Sequence, residues 1–322
     1  VFADPSAIGL LLHGEEHNGM SKLSALFQNT GGTIRWVASW MPGPIRQQFQ
    51  LAYLLWRLVD TVEDCAAWPR ARRIVALRQL AQLLQSPSPA LARHVRSALP
   101  KQDAINDIAL TALMAELPDI LAGLGEFPPA VQDVVRECCC ATVAGMIQAL
   151  ERATDPWMID LHTMEDLCTY IDAVGAMPLH AMTVMFAAEY SALGPLTPYL
   201  LARVSPYAQG VCMADYLEDF HDDLAEHKRM LPPDVSVEHV IWRARQGLVA
   251  GQEYVAALQA ADVPKGLIGA CAGPILFAEQ MLCHIERHGP GVTLERSRVT
   301  TIDTRLQTAL LHNQPLFTGR SE

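Results

Sequence analysis

Long Ala-, Leu-, Val- and Met-rich segments recur at helical period along this chain, and alternating β-branched runs bounded by hairpin turns are nearly absent. A chain patterned this way buries its apolar side chains by packing helix on helix. Breaks rich in Pro and Gly fall at Met41-Pro42-Gly43-Pro44, Ser86-Pro87-Ser88-Pro89, Gly123 to Pro129, Ala192 to Pro198, Leu231-Pro232-Pro233 and His288 to Gly291, spacing out helices of ordinary length. None is long enough to link two domains. The pattern predicts an all-α protein, read as one domain over residues 1–322. With 50% hydrophobic residues, a chain of this length can bury a large core.

Charge and cysteine usage narrow the partners. Against 35 Asp and Glu stand 24 Lys and Arg, a net charge of -11 that repels a phosphate backbone and argues against nucleic acid. The eight cysteines include the run Cys138-Cys139-Cys140 but no CxxC pair, so neither a zinc ribbon nor a redox dithiol is expected. They read as apolar filler in a reducing compartment. The segment from Val1 to Gly19 has no basic region and only a short apolar stretch before Glu15-Glu16, which argues against a signal peptide. The apolar stretch Gly266 to Cys283 is interrupted by Gly269, Gly273, Pro274 and Glu279 and is read as too broken to span a bilayer. The expectation is a cytoplasmic protein without a transmembrane segment, with peripheral contact at a membrane surface left open. Oligomeric state is not legible.

Two acidic segments stand out. In Phe49 to Cys65, Tyr53, Arg57, Asp60 and Asp64 sit at offsets that place them within an arc of roughly 60° on one helix face. Glu63 lies about 80° off that line, within reach for a long side chain. Leu51, Leu54, Leu55, Leu58, Val59 and Val62 leave little else polar, so the stripe is expected to face a cavity rather than solvent. From Met213 onward, Asp215, Asp219 and Asp223 follow in steps of four, with Asp222 and Glu226 on the same side. Like charges so spaced destabilise a helix and ask for a cation, and Lys228 and Arg229 come only at its end.

Hard divalent ions such as Mg²⁺ prefer carboxylate oxygens and are commonly shared with substrate phosphates. Two facing acidic helices could hold two or three ions, and a diphosphate bridging them becomes a good leaving group. The apolar remainder would then hold a greasy chain and exclude water. A di-iron carboxylate bundle competes, but it needs Glu-x-x-His on two helices, and His180, His221 and His227 are read as not supplying that spacing.

The residues from Tyr53 through Arg57, Asp60 and Glu63 to Asp64 resemble the YxxxRxxDTxED signature of the squalene and phytoene synthases. Counting back from Pro232, Asp215, Asp219 and Asp223 resemble that family's NxxxDxxxD. Tyr170 to Gly175 is similar to its YxxxVAG helix, Gly145-Met146 to a preceding helix, and Cys271 to Leu282 to a late CAxPxxxAxxxL pattern. The matches run from about residue 20 to 290 in consistent order.

This resemblance implies a class I isoprenoid synthase bundle around a central apolar cavity. It implies head-to-head joining of two prenyl diphosphates, farnesyl or geranylgeranyl, through a cyclopropylcarbinyl diphosphate with Mg²⁺. By the same resemblance Asp60, Glu63 and Asp64 bind metal at one diphosphate and Asp215, Asp219 and Asp223 at the other. Arg57, Thr33, Lys228 and Arg229 fall on the diphosphates, and Tyr53 and Tyr170 beside the reacting carbons. No dinucleotide fingerprint is present, but squalene synthases bind NADPH without one, so a reductive second step stays open.

Several positions depart from the family pattern. Its SRTF segment corresponds to Gly31-Gly32-Thr33-Ile34, which removes a phosphate clamp that Arg35 or Arg46 would have to replace. Asp215 stands for Asn, Cys212 for Gln, and Met230 for an aromatic residue. Pro178 falls where a helix should continue and is expected to kink the pocket wall. These changes also admit a divergent member that ionises a prenyl diphosphate for another acceptor, a cyclisation or an elimination, or a non-catalytic binding protein.

Overall fold

The computed structural model describes residues 22–317. The N-terminal stretch weighed above as a leader lies outside them. Helices α1 (Lys22–Thr30), α2 (Ile34–Trp40), α3 (Gly43–Glu63), α4 (Arg70–Gln85), α5 (Pro89–Ala98), α6 (Ile108–Ala115), α7 (Leu117–Leu124) and α8 (Pro129–Arg152) form the first part. The second part holds α9 (Met164–Ile171), α10 (Met177–Glu189), α11 (Thr197–Glu218), α12 (Phe220–Ala225), α13 (Val237–Ala260), α14 (Lys265–His288) and α15 (Arg296–Leu311). The expectation of an all-α fold holds. Strand is confined, among the described residues, to β1 (Ile159–Asp160) paired in parallel with β2 (Lys228–Arg229).

Each predicted break but Leu231-Pro232-Pro233, which lies in the loop between β2 and α13, ends or starts a helix. Pro44, Pro89 and Pro129 lie in the first turns of α3, α5 and α8, where a missing N–H costs nothing. Ser88 caps α5 by accepting from Leu91 N–H at 3.2 Å. Gly31 and Gly32 make the tight turn between α1 and α2. Gly32 has φ of +49°, and a Cβ on Gly31 would sit 2.7 Å from the Phe27 carbonyl. The departure from the family pattern at this point is therefore a turn that needs glycine.

Two helical expectations are revised. The stretch 266–283, read as broken, is the middle of the continuous α14, which runs through Pro274. By length and composition alone, α14 and the run Met164–Glu189 could each cross a bilayer, but 67% of the α14 window is buried inside this fold. It packs against α2, α11, α13 and α15. The second acidic segment is not one helix either, since α11 ends at Glu218 and the short α12 follows.

Pro178 does disturb its helix, as expected. Lacking an N–H, it cannot bond the carbonyl four residues back, and the ladder widens into a π-turn over Asp172–Ala176 between α9 and α10. Close helix approach supports this wall: a Cβ on Gly175 would meet Cys212 Sγ at 2.7 Å, and one on Gly145 would meet Ala173 Cβ at 2.1 Å.

The core is continuous, and α3 and α11 are its two long central elements. Leu54, Leu58, Val59 and Val62 on α3 are fully buried, as are Leu200, Met213 and Leu217 on α11. Helix α3 packs on α1, α4, α7, α8 and α10, whereas α11 packs chiefly on α13 and α14. The α11–α13 contact is backbone on backbone at Gly210 and Gly247, where a Cβ on Gly247 would lie 2.3 Å from the Pro206 carbonyl. Gly247→Ala should force these helices apart and cost about 2–3 kcal/mol, as overpacking does. Urea unfolding of the variant checks this, and a loss below about 0.5 kcal/mol would contradict the packing described.

Candidate active site

The first acidic motif occupies the C-terminal end of α3. Asp64 caps the helix, its N–H donating to the Asp60 carbonyl at 2.9 Å. Arg57 Nη1 donates to Asp60 Oδ2, fixing both side chains on one face. Tyr53, one turn earlier, stacks on Phe49 and meets Phe27 edge-on at 5.5 Å. Burial pushes its phenol up to about 12, against the pull of Arg57 and Arg35. Glu63 is buried beside the stripe, 1% exposed and within electrostatic reach of Asp60 and Asp64. Its Oε2 accepts from Tyr170 O–H at 3.0 Å, and its Oε1 has no partner.

The second motif ends α11 in the same manner. Asp219 is the capping residue, with φ −85° and ψ 8° against φ −80° and ψ 0° at Asp64. Its N–H donates to the Asp215 carbonyl at 2.9 Å. Both helices thus finish on Asp-x-x-Glu-Asp: Asp60-Thr61-Val62-Glu63-Asp64 and Asp215-Tyr216-Leu217-Glu218-Asp219. Steps of four pick out Asp215, Asp219 and Asp223 and pass over Glu218, although the repeated pentapeptide marks it. Glu218 is 3% exposed with both carboxylate oxygens unpartnered, the counterpart of buried Glu63. His221 does stand three residues beyond Glu218, contrary to the spacing read from sequence, but it is exposed and its ring lies against Gly291 and Phe220.

The acidic ends of α3 and α11 lie within electrostatic reach of one another, Tyr216 of α11 sensing Glu63 of α3. Lys228 joins the two sides, with Nζ 3.0 Å from Asp64 Oδ1 and 2.9 Å from Glu226 Oε2. Its charge also reaches Asp60, Glu63, Asp219 and Asp223. Tyr216 lies close enough to feel both Glu63 and Asp223. With Phe220, Asp223, Lys228, Met230 and Leu231 it lines a hollow of about 10 Å³. Tyr170 borders a second hollow, about 20 Å³, with Gly145, Gln148, Arg152 and Asp166.

The carboxylates behave as groups lining a recess. Asp60 keeps 36% of its side chain exposed and Asp215 is exposed, yet desolvation raises them to about 6 and about 7. Only carboxylates that water touches but protein surrounds combine these properties. Repulsion from Asp64 adds to the shift at Asp60, and repulsion from Asp219 to that at Asp215. Burial likewise lifts Asp223 to about 7 and Glu218 to about 8.

Other sequence-predicted residues are differently placed. Arg229 is committed to the buried Asp160, with Nε 2.6 Å from Oδ1, and lies over Trp157. Arg46 holds the carbonyls of Met41 and Ser39. Arg35 bonds the carbonyls of Gly32 and Gln28 at the end of α1, within electrostatic range of Tyr53. Thr33 precedes α2 and makes no capping bond.

Among the described residues, no three His, Cys, Asp or Glu side chains gather closely enough to hold an ion by themselves. The donor set is nonetheless hard oxygen throughout, with unpartnered buried carboxylate oxygens at Glu63 and Glu218. That chemistry fits Mg²⁺ shared with a phosphate ligand, rather than a protein-only cage.

An all-α fold whose two acidic helix ends border one recess defines the class I isoprenoid synthases. Structures of the squalene synthase TcSQS with the ligand E5700 and with the ligand BPH1237 share this fold. The first has a TM-score of 0.73 at 17% identity and the second 0.69 at 15%, each match covering 90% of this chain and 87% of that one. Comparison with curated protein sequences finds no match. The family model described as squalene/phytoene synthase matches residues 29–239, and the chain belongs to that family of prenyltransferases.

The raised carboxylates give a signed pH dependence. Between their ordinary values near 4 and their folded values of about 6 to 8, the folded state binds more protons than the unfolded one. Their ionisation in the fold therefore lowers stability as pH rises through that window. In chelator, the melting temperature should fall from pH 5 to pH 8. Glu218→Gln should melt above the parent at pH 8 and lose that advantage at pH 5, because it removes a buried charge without a partner. A melting temperature that climbs over this range would contradict the assignment.

Proposed function

We propose that this chain is a Mg²⁺-dependent prenyltransferase that joins two farnesyl or geranylgeranyl diphosphates head to head into a squalene- or phytoene-type product. The observation that supports this reading is the pair of Asp-x-x-Glu-Asp helix ends converging on Lys228. Bound Mg²⁺ would neutralise the charge that develops on the diphosphate as its carbon–oxygen bond breaks. Asp60, Glu63 and Asp64 on one side, and Asp215, Asp219 and Asp223 on the other, are its proposed ligands, with Glu218 alongside. Arg57, oriented by Asp60, contributes a fixed positive charge to a diphosphate bound at α3. Tyr170, held through its hydroxyl by Glu63, turns its ring toward a carbocation or relays a proton. Tyr53 supplies a second aromatic face.

A second reading is favoured by one feature. The Gly31–Gly32 turn carries no clamp, and Arg35 is occupied by the Gln28 and Gly32 carbonyls, so one diphosphate loses donors. Ionisation of a single prenyl diphosphate with capture by another acceptor, cyclisation or proton loss fits this poorer site.

Incubation with Mg²⁺ and each prenyl diphosphate, followed by mass spectrometry, separates these readings. A doubled hydrocarbon is the expected product. Release of diphosphate with any other product supports the second reading, and no release with either substrate refutes both. Asp60→Asn and Asp219→Asn should each cut turnover by about 10²-fold or more, the usual scale for losing a charge-stabilising group. Their melting temperatures should not fall, since each relieves repulsion. Unchanged turnover in either would remove that residue from the site.

A further inference from the structure

Lys228 is held in an unusual way. Its side chain is 12% exposed and is clasped by Asp64 and Glu226 at 3.0 and 2.9 Å. The backbone beneath it is fixed by a parallel clip, in which Ile159 and Asp160 pair with Lys228 and Arg229. Met158 N–H donates to the His227 carbonyl at 2.7 Å, and Leu161 N–H to the Arg229 carbonyl at 3.0 Å. Arg229 anchors the clip through Asp160, whose side chain is fully buried and also meets Thr154 and His162. The clip thus has a fixed backbone and one long stem, that of Lys228, reaching into the acidic recess.

We infer that Lys228 is a built-in counter-ion, a positioning residue that keeps Asp64 from binding a divalent cation arriving alone and releases it when a diphosphate enters with the metal. The inference rests on the prenyl diphosphate reading above. A cation approaching Asp64 from solvent meets an ammonium already 3.0 Å from the carboxylate, and like charges at that range oppose its binding. A diphosphate reverses the balance. Its oxygens attract the ammonium and the metal together, and the four-carbon stem lets Nζ swing from Asp64 to phosphate without moving the clip. Metal and diphosphate therefore bind with positive coupling, which must be reciprocal. Arg57 is poorly suited to this exchange, because its guanidinium is tied to Asp60 on its own helix.

Calorimetric titration of the full chain with MgCl₂, with inorganic diphosphate, and with both tests this, comparing the parent with Lys228→Met and Lys228→Arg. Thermal shift serves as the second readout. The parent should bind Mg²⁺ weakly alone and at least about tenfold more tightly with diphosphate. Lys228→Met should bind Mg²⁺ alone about tenfold more tightly than the parent and lose most of the coupling, while Lys228→Arg keeps the parent's behaviour. If Lys228→Met does not fold by circular dichroism, Lys228→Gln carries the same test, since its neutral amide can still donate to Asp64. Equal Mg²⁺ affinity in parent and neutral variant, with diphosphate coupling intact, overturns the counter-ion role and leaves the prenyl diphosphate reading standing. Absence of any Mg²⁺–diphosphate binding in the parent overturns that reading itself.

Discussion

Mutual repulsion among carboxylates held inside an apolar fold is the constraint on which the rest of this structure turns. Asp60, Asp64, Asp215, Asp219 and Asp223 are kept near one recess with Arg57 and Lys228 set against them. Desolvation and repulsion both disfavour the charged forms of Asp60, Asp215, Asp219 and Asp223, and a folded chain bears that cost only if the surrounding packing fixes it in place. The continuous core around α3 and α11 does so, and the backbone-to-backbone seam of α11 on α13 leaves α11 little freedom to retreat.

The same local device is used twice. A helix ends on Asp-x-x-Glu-Asp so that the last Asp caps it, the first Asp faces the recess, and the Glu turns inward. Turning the Glu inward leaves buried oxygens without partners at both ends, at Glu63 and Glu218. At α3 the tie from Tyr170 partly offsets this and brings an aromatic ring to the site at a defined height. Unsatisfied buried oxygens are a strain that a bound ligand can relieve, which supports the proposed binding of a cation and a diphosphate here.

The wall of the recess shows a different compromise. Pro178 disrupts the helix that carries Tyr170, and the π-turn at Asp172–Ala176 absorbs the disruption. Asp172 then accepts from Ser205 Oγ at 2.6 Å and from Gln209 Nε2 at 2.9 Å, and Gln209 in turn accepts from Arg243. This partly buried chain of polar groups ties the irregular turn to α11 and α13. The hollows beside Tyr170 and Tyr216, about 20 and 10 Å³, are water-sized, so no prenyl-sized space opens beside either ring.

Periodicity and punctuation were enough to read the helices from sequence, because helical hydrogen bonds are local and Pro or Gly stops them wherever it falls. The face shared by Tyr53, Arg57, Asp60 and Asp64 follows from 100° per residue and needed no tertiary knowledge. The end of α11 at Glu218, the inward turn of both Glu side chains, and the continuity of α14 through Pro274 were not legible, since each depends on what packs alongside. Arg229 shows the difference most plainly. One position apart on a two-residue strand, Lys228 and Arg229 point to opposite sides, one to the acidic recess and one to buried Asp160. Sequence by itself determined which residues carry charge and on which helical face they fall, whereas only the tertiary structure decided which of those charges meet. Pairing between distant segments such as 159–160 and 228–229 is set by the packing of the whole chain, not by any local pattern.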